Sequence, residues 1–108
     1  MATNSGPRVN AGMLPRYVGQ RVVLLGRVAQ SGASFVDMTA SDGGTVRVTT
    51  QLGPSPPNAV LEVSGVVNGD GTIAEESRLQ FVDSFNPELY DTALRIAHSP
   101  RYAHLFYG

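Results

Sequence analysis

The spacing of apolar residues changes character several times along the chain. Met1 to Pro7 is small and polar and predicts a disordered tail. Arg8 to Tyr17 carries a compact apolar group, Val9, Met13, Leu14 and Tyr17, around Asn10 and Gly12. It is too short for a free-standing helix and predicts a turn that plugs one end of a core. From Gln20 the period becomes two, or a continuous β-branched run, which is the signal of strands.

Five such runs follow. Arg21–Val28 is the first, interrupted by Gly26, where a bulge or sharp bend is expected. Phe35–Ala40 is the second, with Val36, Met38 and Ala40 on one face. The Ser41-Asp42-Gly43-Gly44 turn leads by a tight hairpin into Thr45–Thr49, with Val46 and Val48 inward. Val60–Val67 is the fourth, again with a mid-strand glycine, Gly65. Asn68-Gly69-Asp70-Gly71 gives the strongest hairpin signal, and Thr72–Val82 is the fifth run, with Leu79 and Phe81 pointing the same way as Ile73. Between the third and fourth runs, Gln51–Asn58 holds Pro54, Pro56 and Pro57, which exclude a helix there.

The last element is of another kind. Asn86 suits an N-cap, Pro87 the first helical position and Glu88 the positive end of the helix dipole, and Pro100 stops a helix that runs to about His98. At 100° per residue, Leu89, Tyr90, Ala93, Leu94, Ile96 and Ala97 fall in one arc of roughly 160°. Glu88, Asp91, Thr92, Arg95 and His98 take the other side. Such a helix either caps its own domain or supplies a helix–helix seam, and the breadth of the arc favours contact with two surfaces. The pattern as a whole predicts an all-β fold with a C-terminal helix, a five-stranded Greek-key OB-fold barrel. Five strands are few for the competing reading, a small sandwich. The expected organisation is a tail over residues 1–7, the barrel over 8–84, and a C-terminal helix and tail over 85–108.

Composition narrows the chemistry. A chain of 108 residues, 42% hydrophobic, makes one domain. Eight basic residues, all Arg, face nine acidic ones, so no strong field draws nucleic acid or an anionic membrane. With no Cys there are no disulfides, thiolate zinc sites or cysteine nucleophiles. No signal-like or membrane-spanning apolar run is present, and the chain reads as soluble and intracellular. His98 and His104 have no acid placed by sequence to orient them, and His98 suits a helix C-terminus. Adjacent Glu75 and Glu76 point to opposite faces of a strand, and Asp42 and Asp70 are turn residues. No phosphate loop or metal spacing occurs, so the reading is no enzyme, no cofactor and no metal.

Single-strand binders combine a basic groove with stacking aromatics. Here the outward candidates are Arg27, Phe35, Arg47 and Arg78, with acidic Asp37 beside the lone aromatic and Phe81 better placed inward. A solvated face with scattered arginines is the plain reading, and weak DNA contact through Phe35 and Arg47 is the functional one.

The chain resembles a known family, the smallest subunit of replication protein A, the eukaryotic heterotrimer that coats single-stranded DNA. The matching stretches are Arg8-Val-Asn-Ala-Gly-Met-Leu14, Val23-Leu-Leu-Gly-Arg-Val28, Ser41-Asp-Gly43, Glu62-Val-Ser-Gly-Val-Val67, Gln80-Phe81 and Leu89-Tyr90-x-x-Ala93-Leu94-Arg95-Ile96-x-His98 before Pro100. The resemblance implies an OB barrel whose C-terminal helix joins one helix from each of the middle and large subunits in a three-helix bundle. The bundle surface would then be Leu89, Tyr90, Ala93, Leu94, Ile96 and Ala97, and Leu94→Asp would stop assembly while leaving the barrel folded. It also implies nuclear residence, single-stranded DNA bound mainly through the complex, no membrane, and a role in replication, recombination and repair. The proline-rich Gln51–Asn58 loop lies outside the resemblance. Two alternatives stand beside it, a free-standing OB module that binds single-stranded nucleic acid and the equivalent small subunit of a telomere-end complex. The aromatic tail Tyr102–Tyr107 packs either on its own domain or on a partner.

Overall fold

The structure, a computed structural model, describes residues 6–81 and 86–99. The alternating runs form β1 (Arg8–Val9), β2 (Arg21–Ser31), β3 (Phe35–Ala40), β4 (Thr45–Thr49), β5 (Val60–Val67) and β6 (Ile73–Phe81), followed by helix α1 (Pro87–His98). Strands are ordered β1-β2-β3-β4-β6-β5, and β5 pairs back onto β2. The five longer strands therefore close a ring, which a sandwich does not do. Within the ring β4 and β6 are parallel, at Val48↔Ile73 and Thr49↔Ala74, and the other pairings are antiparallel. This is the Greek-key order of the OB fold.

Long β2 serves two neighbours on one edge. Its amino half carries β1 in parallel, at Arg8↔Val23 and Val9↔Leu24, and its carboxyl half carries β3. A bulge between Val28 and Gln30 lets it run past the expected end at Val28. The short β1 was not legible in the pattern, and it corrects the expected tail: the Pro7 carbonyl accepts from the Val23 amide at 2.9 Å. The rest of that expected tail, residues 1–5, lies outside the described residues, as do Val82 and the aromatic stretch 102–107.

Two glycines are required where the ring bends. A Cβ on Gly26 would lie 2.5 Å from the Thr39 carbonyl oxygen, and one on Gly65 would lie 2.2 Å from that of Ala74. Backbones approach too closely at both corners for any side chain.

The core is the inward row of each strand: Val22, Leu24 and Val28, Val36 and Met38, Val46 and Val48, Leu61 and Val63, and Ile73. Each fully buried aliphatic contributes about 1.5–3 kcal/mol. The expected plug is present but is a 3-10 helix, Ala11–Tyr17, rather than a turn, and it buries Met13 and Leu14. Asn10 caps it by accepting the Met13 amide at 3.1 Å. The Asp42 carboxylate, from the β3–β4 hairpin, accepts the Gly12 amide at 2.9 Å.

Strand β6 departs from its expected facing. Ile73 is buried, but Leu79 and Phe81 are exposed on the outside of the ring. The register slips between Ser64 and Gly65, so that Ser64 faces Ser77 and Gly65 faces Glu75, leaving Glu76 as the extra residue. One added residue sends every later side chain to the opposite face. Arg78, expected outward, thereby turns in against the Gln51–Asn58 loop, which is a loop as its prolines require. Its guanidinium donates to Ser55 Oγ at 2.6 Å, the Gly53 carbonyl at 2.9 Å and Glu75 Oε1 at 2.7 Å.

Candidate subunit interface and nucleic-acid face

Helix α1 begins as its sequence dictates. Asn86 Oδ1 accepts the Leu89 amide at 3.0 Å, Pro87 opens the first turn, and Glu88 lies in that turn. What fixes the helix to the ring is polar as well as apolar. Leu94 packs into the core with Tyr90 half-buried beside it, and Ala97 is also buried. Between them sits Asp91, buried, accepting from Asn10 Nδ2 at 2.7 Å and Ser41 Oγ at 3.0 Å, with Arg95 2.8 Å away on its outer side. Burial pushes the Asp91 carboxyl up, but the hydrogen bonds from Asn10 and Ser41 and the nearby Arg95 charge outweigh it and hold the group below the usual range. Two turns on from Asp91, His98 Nε2 lies 2.6 Å from the Arg8 carbonyl and Nδ1 lies 3.2 Å from Tyr17 Oη. A carbonyl only accepts, so the neutral ring carries its proton on Nε2 and takes the Tyr17 hydroxyl on Nδ1.

The six residues expected to form one partner-facing arc are therefore divided. Tyr90, Leu94 and Ala97 face the chain's own domain, whereas Leu89, Ala93 and Ile96 are exposed, Leu89 by 69% and Ile96 by 51%. Asp91, expected on the solvent side, is among the helix's most buried residues. The exposed three recur at four- and three-residue spacing and make a narrow apolar stripe.

On the outer face of β3 and β4, the two residues expected to touch DNA are brought together. The Arg47 guanidinium carbon lies 4.3 Å from the Phe35 ring centroid. The same guanidinium donates from Nε and Nη2 to the two Asp37 carboxylate oxygens at 2.8 and 2.9 Å, and Gln30 Nε2 donates to that carboxylate at 2.8 Å. The Arg47 hydrogen bond, aided by that from Gln30 and opposed by burial, keeps the Asp37 carboxyl ionised to lower pH than usual. Of the other outward candidates, Arg78 is committed inward, and Arg27 donates to the Asn58 carbonyl at 3.3 Å. Among the described residues no cluster of His, Cys, Asp and Glu could hold a metal ion, and no helix is long and apolar enough to cross a membrane.

Residues 1–103 match the family described as replication factor A protein 3. The chain belongs to that family. It is similar to two 14 kDa subunits of replication protein A from Arabidopsis thaliana. One is 32% identical over 99 residues, which is 91% of this chain and 91% of that protein. The other is 30% identical over 98 residues with the same coverage. Among solved structures, a chain of U. maydis replication protein A bound to ssDNA superposes with a TM-score of 0.80 at 23% identity, covering 97% of this chain and 98% of that one. The S. pombe Stn1-Ten1 complex contains a chain that superposes with a TM-score of 0.70 at 14% identity, covering 88% and 93%. Those two likenesses establish the OB fold. Membership of the replication factor A protein 3 family, which is not an enzyme family, gives the chain a role in replication protein A.

Within this member of the family, the docking residues Asn10, Ser41, Asp91, Tyr17 and His98 were not read as a site from sequence. The one signal available was an aspartate flanking the helix's apolar arc, one residue from Tyr90 and three from Leu94.

Proposed function

We propose that the chain is the small, non-catalytic assembly subunit of a heterotrimeric replication protein A, in which α1 packs against one helix from each of the middle and large subunits. The observation that carries this reading is the divided helix. Its inner side is locked to the ring, while Leu89, Ala93 and Ile96 form an outward stripe with no cover among the described residues. Burying such a stripe drives association at about 25 cal/mol per Å², and its three- and four-residue spacing suits a helix partner. Single-stranded DNA is then gripped mainly by the partners, since this chain has a net charge of −1. The setting is nuclear replication, recombination and repair.

The test is co-expression with both larger subunits. Ile96→Asp, on the exposed side, is expected to abolish co-purification while the isolated chain keeps its unfolding midpoint. A trimer recovered intact with Ile96→Asp and Leu89→Asp together would remove the stripe as the interface. Co-purification with telomere-end partners instead would favour that alternative, for which the likeness in fold to a chain of the S. pombe Stn1-Ten1 complex is the support.

A further inference from the structure

Arg47, like Arg21, is exposed over half of its side chain and held by a bidentate carboxylate, and it also lies over an aromatic ring, with its guanidinium carbon 4.3 Å from the Phe35 centroid. A bidentate fork with Asp37 sets the plane of the guanidinium, and Phe35 closes one side of that plane. The Arg47 side chain as a whole is 52% exposed. A planar, delocalised, weakly hydrated cation held in this way is a surface on which an aromatic ring stacks.

The surroundings disfavour a phosphate. Asp37 cancels the local charge. Beside Phe35 opens a cleft of about 600 Å³ lined by Ser34, Thr49, Thr50, Gln51, Leu52, Ala74, Glu75 and Glu76. Of its acidic residues, Glu75 has its side chain buried against Arg78, and the Glu76 carboxylate is engaged by Arg21. A nucleic acid meeting this face finds a stacking plane without free positive charge.

We propose that Arg47 over Phe35 is a single-base site, in which an unpaired nucleobase of single-stranded DNA lies on the side of the Arg47 guanidinium away from Phe35 while its phosphates stay in solvent. Phe35 supports the plane and Asp37 sets the mode, holding Arg47 as a stacking surface and withholding it from the DNA backbone. The proposal is independent of the assembly role of α1 and can fail without affecting it.

The experiment is a titration of the full-length chain with a short oligothymidylate, followed residue by residue by NMR at about 50 and 200 mM salt. One phosphate contact on a single strand would weaken binding about 2.6-fold between those salts. The wild-type chain is expected to show shifts centred on Arg47 and Phe35 and a smaller salt effect than that. Arg47→Ala is expected to weaken binding about tenfold. Arg47→Lys, which keeps the charge and loses the plane, is expected not to rescue it. Asp37→Asn frees the guanidinium and is expected to tighten binding and add about one phosphate's worth of salt dependence. Each variant is compared at a matched unfolding midpoint. Shifts that avoid Arg47, rescue by Lys, a wild-type salt effect of several phosphates, or no shifts at millimolar oligonucleotide would each overturn the proposal.

Discussion

Asn10 donates its side-chain amide to the Asp91 carboxylate at 2.7 Å, across a separation of 81 residues. With its other atom it caps the 3-10 plug, accepting the Met13 amide at 3.1 Å. One buried side chain thus ties the amino-terminal plug to the carboxyl-terminal helix, and Ser41 adds the β3–β4 hairpin to the same carboxylate. Removing it leaves a helix amide uncapped and a buried acceptor short of a donor. Asn10→Ala is expected to cost about 1–3 kcal/mol in urea unfolding. A cycle with Asp91→Ala should show coupling of about 0.5–3 kcal/mol, because the two residues share one contact. Strict additivity would mean that the contact contributes nothing.

The same carboxylate sets an acid limit. Asp91 is held below its ordinary value in the folded chain, so folding favours the ionised form. Its contribution is fully present above the unfolded carboxyl pKa of about 3.9 and is lost as pH falls through the lower folded value. Asp37 is lowered in the same sense. The contribution of these two carboxylates should therefore be level from neutral pH to about pH 5 and fall below about pH 4. Asp91→Asn should flatten part of that fall, as read from urea midpoints across the acid range. An unchanged acid limb would take Asp91 out of the account.

The docking of α1 shows what the sequence pattern could and could not carry. Alternation placed the inward rows of β3 and β4, and the turn chemistry of Ser41–Gly44 and Asn68–Gly71 placed both hairpins. The capping signals at Asn86 and Pro87 and the stop at Pro100 bounded α1, Pro87–His98. Periodicity misjudged the buried face by roughly 80° at 100° per residue, because Asp91 and His98 count as polar although both are turned inward onto partners. Strand β6 failed for a different reason. Ile73, Leu79 and Phe81 fit an unbroken alternation, and nothing in the residues announces that Glu76 is extra. The pairing of Phe35 and Arg47 was legible as a pair of outward residues, whereas the grip of Asp37 on Arg47 needed the register Asp37↔Arg47.

Arg78 and Glu75 form an inward ion pair, with side-chain exposures of 15% and 0%, that also fastens the proline-rich loop. Arg78→Ala would leave a carboxylate with no access to water and without this cation. A cost of about 3–5 kcal/mol is expected in denaturant unfolding. Faster limited proteolysis within residues 51–58 is the second readout. Glu75→Gln in the same background should recover part of the stability, since it removes the uncompensated charge; no recovery would place the loss in packing instead.

Gly65 and Gly69 offer a matched pair. A Cβ on Gly65 would lie 2.2 Å from the Ala74 carbonyl oxygen, and one on Gly69 would meet nothing within 4 Å. Gly65→Ala is expected to lose more than about 2 kcal/mol or to fail to fold, while Gly69→Ala stays within about 0.5 kcal/mol of wild type. Equal behaviour of the two would mean that the β5–β6 corner relaxes freely.

The two sides of α1 should separate stability from assembly. Leu94 is part of the core and 4% exposed, so Leu94→Ala is expected to cost about 2–5 kcal/mol by opening a cavity. Leu94→Asp, a partner-face test on the sequence reading, buries a charge in the chain's own core and should unfold it. Ile96 is 51% exposed, and Ile96→Ala should change the midpoint of the isolated chain by no more than about 0.5 kcal/mol. Its effect should appear in the complex, as a lower yield of co-purified larger subunits at equal expression. If Leu94→Ala lowers that yield without moving the midpoint, the inner face of the helix meets a partner. If Ile96→Ala moves the midpoint and not the yield, the outer stripe belongs to this chain alone.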